Sequence, residues 1–149
     1  MIGGAAHFGA ARQLGGTMGV RALPITLLYA GILGVFLALI SIRITMYRAK
    51  YKINFGDGGK EEVQRAIRVQ GNFVEYVPLA LILIGLLEMN GVPAWSIHGL
   101  GVVLVVARLL HAYSLYAGAM PPRVVGTSGT WAVLVVAGLW SVARSLGVA

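Results

Sequence analysis

Four apolar stretches, each near the ~20 residues that a helix needs to cross the hydrocarbon of a bilayer, dominate this chain. The first runs from Pro24 to about Met46, with Pro24 suited to a first helical turn. The second helix opens at Glu61 and Glu62 and ends near Met89, and its apolar part is Phe73 to Leu87. The third follows Pro93 and reaches about Tyr116, and the fourth begins between Thr127 and Thr130 and ends near Leu146. Hydrophobic residues make up 58% of the 149 and charged residues only 11%, against about 25% charged in a soluble domain. Such a surface cannot be covered by its own polar residues, so lipid must cover it. Short connections between consecutive spans predict an all-α, up-and-down bundle of four transmembrane helices.

Charge placement sets an orientation. The formal net charge is +7, and the basic residues cluster in short segments between apolar runs rather than along one soluble face, which speaks against nucleic-acid binding. Arg43, Arg48, Lys50, Lys52, Lys60, Arg65 and Arg68 surround the first loop, and Arg123 lies in the third, read as Gly118 to Gly126. The loop around Asn90 to Trp95 has neither lysine nor arginine. The positive-inside rule therefore puts loops one and three in the cytoplasm, against the minor opposing charges Arg12, Arg21 and Arg144. Residues 1–22 are Gly/Ala-rich without the apolar core of a secretory signal. They read as a flexible tail ahead of a membrane domain at 23–149, with Met18 as an alternative initiator.

Cysteine is absent, which excludes thiolate metal sites and a cysteine nucleophile. His98 and His111 sit thirteen residues apart at opposite ends of one helix, so no shared metal is expected. No P-loop, His-Glu-x-x-His or Gly-x-Ser-x-Gly occurs. Gly31, Gly34, Gly99 and Gly101 are expected to allow close helix contact. Trp95, Trp131 and Trp140 read as marks of membrane interfaces or helix contacts.

The chemistry concentrates at the start of the second helix. At about 100° per residue, with Arg68 at zero, Glu61 falls near 20°, Asn72 near 40°, Arg65 near 60° and Glu75 near 340°. Five polar residues thus form one stripe on a helix whose other faces are apolar. Glu75 sits at the hydrocarbon boundary, where an unpaired ionisable group is costly, up to about 2.5–3.5 kcal/mol at full depth. Asn72 and Arg68, one and two turns earlier, are its expected partners. The alternative for such a stripe is a packing network between helices. Arg43 and Arg108, at the loop-one ends of helices one and three, are expected to snorkel to the headgroups. His111, Tyr113 and Tyr116 read as interface anchors.

The run Arg65-x-x-Arg68-x-Gln70-x-Asn72-x-x-Glu75-Tyr76-x-Pro78-Leu79 closely resembles the MAPEG family, the membrane-associated proteins of eicosanoid and glutathione metabolism. The Gly56-Asp57-Gly58-Gly59 turn and the arginine-bearing end of helix three resemble its bacterial branch, and the likeness spans about Leu27 to Leu146. The resemblance implies a homotrimer with glutathione sites between subunits near the cytoplasmic face of a bacterial inner membrane. It assigns Arg43, Arg68, Gln70, Asn72, Glu75 and Tyr76 to glutathione binding and Arg123 to stabilising the thiolate. Arg65, Arg108, His111 and Tyr113 are supporting positions. Arginines suit the two carboxylates of the tripeptide and Glu75 its ammonium. The thiolate would attack a hydrophobic electrophile dissolved in the lipid.

One departure bears on chemistry. Where eicosanoid enzymes of the family carry tyrosines on helix three, this chain has His111 and Leu115, with Tyr113 and Tyr116 out of register. Two functional classes therefore stand: a glutathione transferase or peroxidase, and a non-catalytic membrane protein binding lipid or another small molecule on the same fold. A transporter would need a polar site at mid-membrane in helices one, three or four, and their apolar centres offer none.

Overall fold

A computed structural model describes residues 23–148; the tail expected over 1–22 lies outside the described residues. The described chain forms four helices: α1 (Pro24–Tyr51), α2 (Glu61–Met89), α3 (Ala94–Ala117) and α4 (Met120–Ser145). All four are long and apolar enough to cross a membrane, and together they make an all-α four-span bundle.

α2 packs against each of the other helices and α3 touches both α1 and α4, whereas α1 and α4 do not meet. The bundle is thus a rhombus with α2 and α3 on its short diagonal. The core follows from that geometry. Val69, Phe73, Val77, Ala80, Ile84 and Leu87 recur every three or four residues along α2, the spacing of one helical face. They pack with Leu33 and Ile40 of α1, Ile97 and Leu104 of α3, and Val133 and Ala137 of α4. Apolar residues also point outward, among them Ile32, Val35, Leu39, Ile82, Val106, Val135 and Leu139. In water such a surface would aggregate; in a bilayer it meets acyl chains.

The helix ends show how the chain stays in register. Pro24 occupies the first turn of α1, where its missing N–H costs nothing. The free amides of that turn are satisfied from α2. The Glu88 carboxylate accepts Ile25 N–H at 3.0 Å, Thr26 N–H at 2.8 Å and the Thr26 hydroxyl at 2.6 Å. An acid in the last turn of α2 opposes that helix's own dipole, but here it serves the positive end of α1. Beside it Arg144 of α4 donates to the Asn90 carbonyl that follows α2. Tyr29 Oη and His98 Nδ1 stand 3.0 Å apart, linking α1 to α3 at the same end. His98 is thereby a structural contact.

Three sequence expectations need correction. α4 starts at Met120 rather than near Thr127. Pro121 and Pro122, read as loop, are first-turn residues whose absent N–H groups would have been unpaired anyway, so Arg123 sits on a helix and not on a free loop. Next, α1 continues past Met46 to Tyr51, with Arg48 and Lys50 in its last turn, where cations complement the dipole. Finally, of the four glycines expected at helix contacts only Gly101 makes one. A Cβ there would lie 2.3 Å from the Tyr29 ring, whereas Gly31, Gly34 and Gly99 face open space. Gly126 of α4 lies against backbone, where a Cβ would come within 2.7 Å of the Ala107 carbonyl oxygen and the His111 amide of α3.

Candidate functional site

The first turn of α4, lying against α3, closes a recess at the loop-one end of the bundle. It has two adjoining chambers. The outer, about 370 Å³, is lined by Glu61, Gln64, Arg65 and Arg68 of α2, the end of α3, and Met120 and Arg123 of α4. The inner, about 180 Å³, is lined by Arg68, Gly71, Asn72, Glu75, His111, Leu115 and Arg123. Arg68, Leu115 and Arg123 belong to both. The polar stripe read from the sequence of α2 is therefore one wall of a cavity, and Arg123 stands on the opposite wall.

The charges within it are unevenly satisfied. Arg65 pairs with Glu61 one turn earlier, an exposed pair that contributes at most about 1 kcal/mol. Arg68, Glu75 and Arg123 have no hydrogen bond or ion pair among the described residues. The expected pairing of Glu75 with Arg68 and Asn72 is not made. Asn72 is engaged elsewhere: its side-chain oxygen accepts a 2.6 Å hydrogen bond from Arg108.

Arg108 is the largest departure from the sequence reading. It does not snorkel; it is only 2% exposed and lies inside the bundle. Its Nη1 also approaches the Asn72 backbone carbonyl at 3.5 Å. Its Nη2 donates to the Thr130 hydroxyl at 2.5 Å and the Gly126 carbonyl at 3.3 Å. Thr130 in turn donates to the Gly126 carbonyl at 3.0 Å. One guanidinium thus joins α2, α3 and α4 directly behind the recess, with Nε unpartnered among the described residues. Burying a cation costs several kcal/mol unless hydrogen bonds repay it, and neutral acceptors leave its charge uncancelled. That charge adds to the positive field of the recess from a position solvent cannot screen.

The other candidates sort by face. His111 is buried in the wall of the inner chamber, its carbonyl accepting the Ser114 hydroxyl at 2.7 Å. Gln70 points to α1, where its amide donates to the Ser41 hydroxyl at 2.7 Å. Arg43 lies on α1, its guanidinium 4.0 Å from the centre of the Tyr116 ring and hydrogen-bonded to Tyr47. Tyr76 is half-buried outside both chambers. Tyr113 is 62% exposed on the outer face of α3. Within one chain, then, Arg68, Asn72, Glu75, His111 and Arg123 gather, and Arg43, Gln70, Tyr76 and Tyr113 do not. Thr130 and Gly126 were missed by the sequence reading. The signal was present in their four-residue spacing, but it is visible only once α4 is started at Met120.

Chemically the recess offers two arginines and one carboxylate without partners among the described residues, with a third guanidinium behind Asn72. That set suits a ligand carrying more negative than positive charge. It can fork onto carboxylates, hold one ammonium, and stabilise an anion that forms near Arg123.

A family model for the MAPEG family matches residues 26–143. Over 119 residues the chain is 40% identical to the inner membrane protein YecN of Escherichia coli strain K12, covering 78% of this chain and 91% of that protein. It matches the protein of the same name from Escherichia coli O6:H1 strain CFT073 to the same extent. The matched region takes in all of α2 and α3 and nearly all of α1 and α4, so the whole bundle and its recess are covered, and the chain belongs to the MAPEG family.

Proposed function

We propose that this protein is a glutathione-dependent enzyme of the inner membrane, a transferase or peroxidase acting on hydrophobic electrophiles, and that it works as a homotrimer with loops one and three in the cytoplasm. The observation that carries the reading is a set of charges, Arg68, Glu75 and Arg123, that line one recess and have no partner among the described residues. Groups of this kind at a membrane boundary are costly to keep without a partner, and glutathione supplies one for each. Its carboxylates match Arg68 and the outer chamber, and its ammonium matches Glu75. Its sulfur is then left for Arg123. The inner-membrane relatives support the location, and family membership supports the ligand class.

The chemistry needs little from the protein beyond positioning and charge. A free thiol has a pKa of about 8.5 and is mostly protonated at neutral pH. Arg123, reinforced by Arg108, favours the thiolate, each unit of depression being about 1.4 kcal/mol. The sulfur lone pair then forms a bond to the electrophilic carbon, and the displaced group leaves with the electron pair of its own bond. With a hydroperoxide, the thiolate attacks the distal oxygen and the alkoxide takes up a proton. A second glutathione then releases the disulfide and water.

A second reading has its own observation. Leu115 lines the recess and Tyr113 points away from it, so no tyrosine hydroxyl lines either chamber to polarise an electrophile. That favours a protein that binds a lipid or small anion without turnover. Turnover of a chlorodinitroarene or a lipid hydroperoxide by the purified protein separates the two. The enzyme reading predicts glutathione-dependent turnover that Arg123→Ala lowers at least tenfold. Glutathione binding without any turnover would establish the second reading.

A further inference from the structure

The side-chain amide of Asn72 has two ends of opposite character, a carbonyl oxygen that accepts and an NH2 that donates. Which end meets the inner chamber decides what that wall can bind. Arg108 settles the matter from behind. A guanidinium carries donors only, and its Nη1 stands 2.6 Å from Asn72 Oδ1, so the oxygen is the end turned into the bundle. Asn72 Nδ2 makes no hydrogen bond among the described residues, nor is it fully enclosed. The space open to it is the inner chamber, part of whose wall Asn72 forms.

Arg108 is itself held in this pose. Its Nη2 donates to the Thr130 hydroxyl and the Gly126 carbonyl of α4, and the side chain is buried. An arginine stays charged in a protein, so a flipped Asn72 would set NH2 against N–H and leave a buried cation short of an acceptor. Without Arg108 the Asn72 oxygen would have another claimant. Arg68 lies four residues earlier on α2, at the spacing of side-chain neighbours on one helix face, and has no partner among the described residues. An Asn72 turned over onto Arg68 would occupy the guanidinium that a ligand needs.

We propose that Arg108 is a positioning residue of the recess: it holds the Asn72 oxygen, presents the Asn72 NH2 to the ligand, keeps Arg68 available, and so makes this wall selective for a carboxylate. The inner chamber then offers donors at Arg68, Asn72 and Arg123 against the acceptor at Glu75. A carboxylate seated between Arg68 and Asn72 accepts from both, with the charge-assisted bond on the arginine side. The inference rests on the recess being the glutathione site proposed above and names what selects one carboxylate of that ligand.

Titration calorimetry of the purified full chain with glutathione, and separately with glutarate, a dicarboxylate without thiol or ammonium, tests the assignment. The proteins are wild type, Arg108→Met, Asn72→Leu and the double variant. Arg108→Met should weaken binding at least about fivefold in the wild-type background, the worth of one hydrogen bond, and have almost no effect in the Asn72→Leu background, because it acts through Asn72. Equal weakening in both backgrounds, or none in either, overturns the proposal. Asn72→Asp is a second probe that leaves Arg108 in place. It keeps an acceptor for the guanidinium, so the melting temperature should hold or rise, while its other oxygen replaces the NH2 at the chamber and glutathione affinity should fall at least tenfold. Undiminished affinity with Asn72→Asp also overturns the proposal. Glutarate separates this inference from the thiol reading. Glutarate binding with the same variant pattern, where glutathione does not bind, sinks the thiol reading and leaves Arg108 in its role. Folded wild-type protein that binds neither overturns both.

Discussion

Replacing Arg108 by methionine, a side chain of similar length without charge, tests whether the buried guanidinium holds the recess wall in place. Four acceptors lose a charged donor: the side-chain oxygen and backbone carbonyl of Asn72, the Thr130 hydroxyl and the Gly126 carbonyl. The Gly126 carbonyl keeps its bond from Thr130, and the Thr130 hydroxyl keeps its acceptor. Asn72 is the group left unsatisfied, at a cost of about 1–3 kcal/mol. Relief of the desolvated cation offsets part of the loss. The single variant should therefore be destabilised by about 1–3 kcal/mol, and Asn72→Leu, which leaves the cation short of an acceptor, by at least as much. The double variant removes both partners and should be less destabilised than the two singles added together, with a coupling of at least about 1 kcal/mol. Reversible unfolding of the four proteins in mixed micelles measures it. Hydrogen bonds inside membranes average nearer 0.6 kcal/mol in such cycles, and the charged donor is the reason to expect more here. Additivity within about 0.5 kcal/mol would refute the claim that Arg108 and Asn72 act as one unit.

Other substitutions probe separate joints. Gly126→Val should destabilise the bundle by about 1–3 kcal/mol and weaken ligand binding in the recess. Its side chain would press on the α3 backbone at Ala107 and His111, so the melting temperature should fall; an unchanged melting temperature would show that α4 can stand further off. Glu88→Gln removes a charged cap from the start of α1, and by the usual worth of caps should cost about 1–2 kcal/mol, read by thermal unfolding. Thr26→Val should cost less, since the amide bond from Thr26 remains. Glutathione affinity should weaken as salt is raised from low to physiological ionic strength, because Arg68 and Arg123 are exposed and screened; titration calorimetry at two salt concentrations checks this.

Much of the architecture is readable without coordinates because a lipid-exposed helix carries its signal in length and hydropathy alone. The bounds of α2 follow from Glu61 and Glu62 at one end and Asn90-Gly91 at the other, and its polar stripe does form one cavity wall. What escaped the sequence depends on packing between helices. Arg108 looks like a snorkelling residue by position, and only the acceptors on α2 and α4 make its burial tolerable. Glu88 looks misplaced at the end of α2 until the first turn of α1 is found beside it. Pro121 and Pro122 signal loop and helix start equally well, and the wrong choice hid the Gly126–Thr130 pair. Glycines at Gly31 and Gly99 promised helix contacts, but spacing does not say which face a neighbour occupies. Tyr116 ended up beneath Arg43, a contact between α1 and α3 that no local pattern encodes.

The central claim is that the free charges of the recess await glutathione. Titration calorimetry of the purified wild-type protein with glutathione, alongside Glu75→Gln and Arg68→Ala, tests it most directly. The account predicts binding at or below millimolar concentration that both substitutions abolish while leaving the fold intact by circular dichroism. Wild-type protein that is correctly folded and shows no heat at millimolar glutathione, or binding that survives both substitutions, would contradict it.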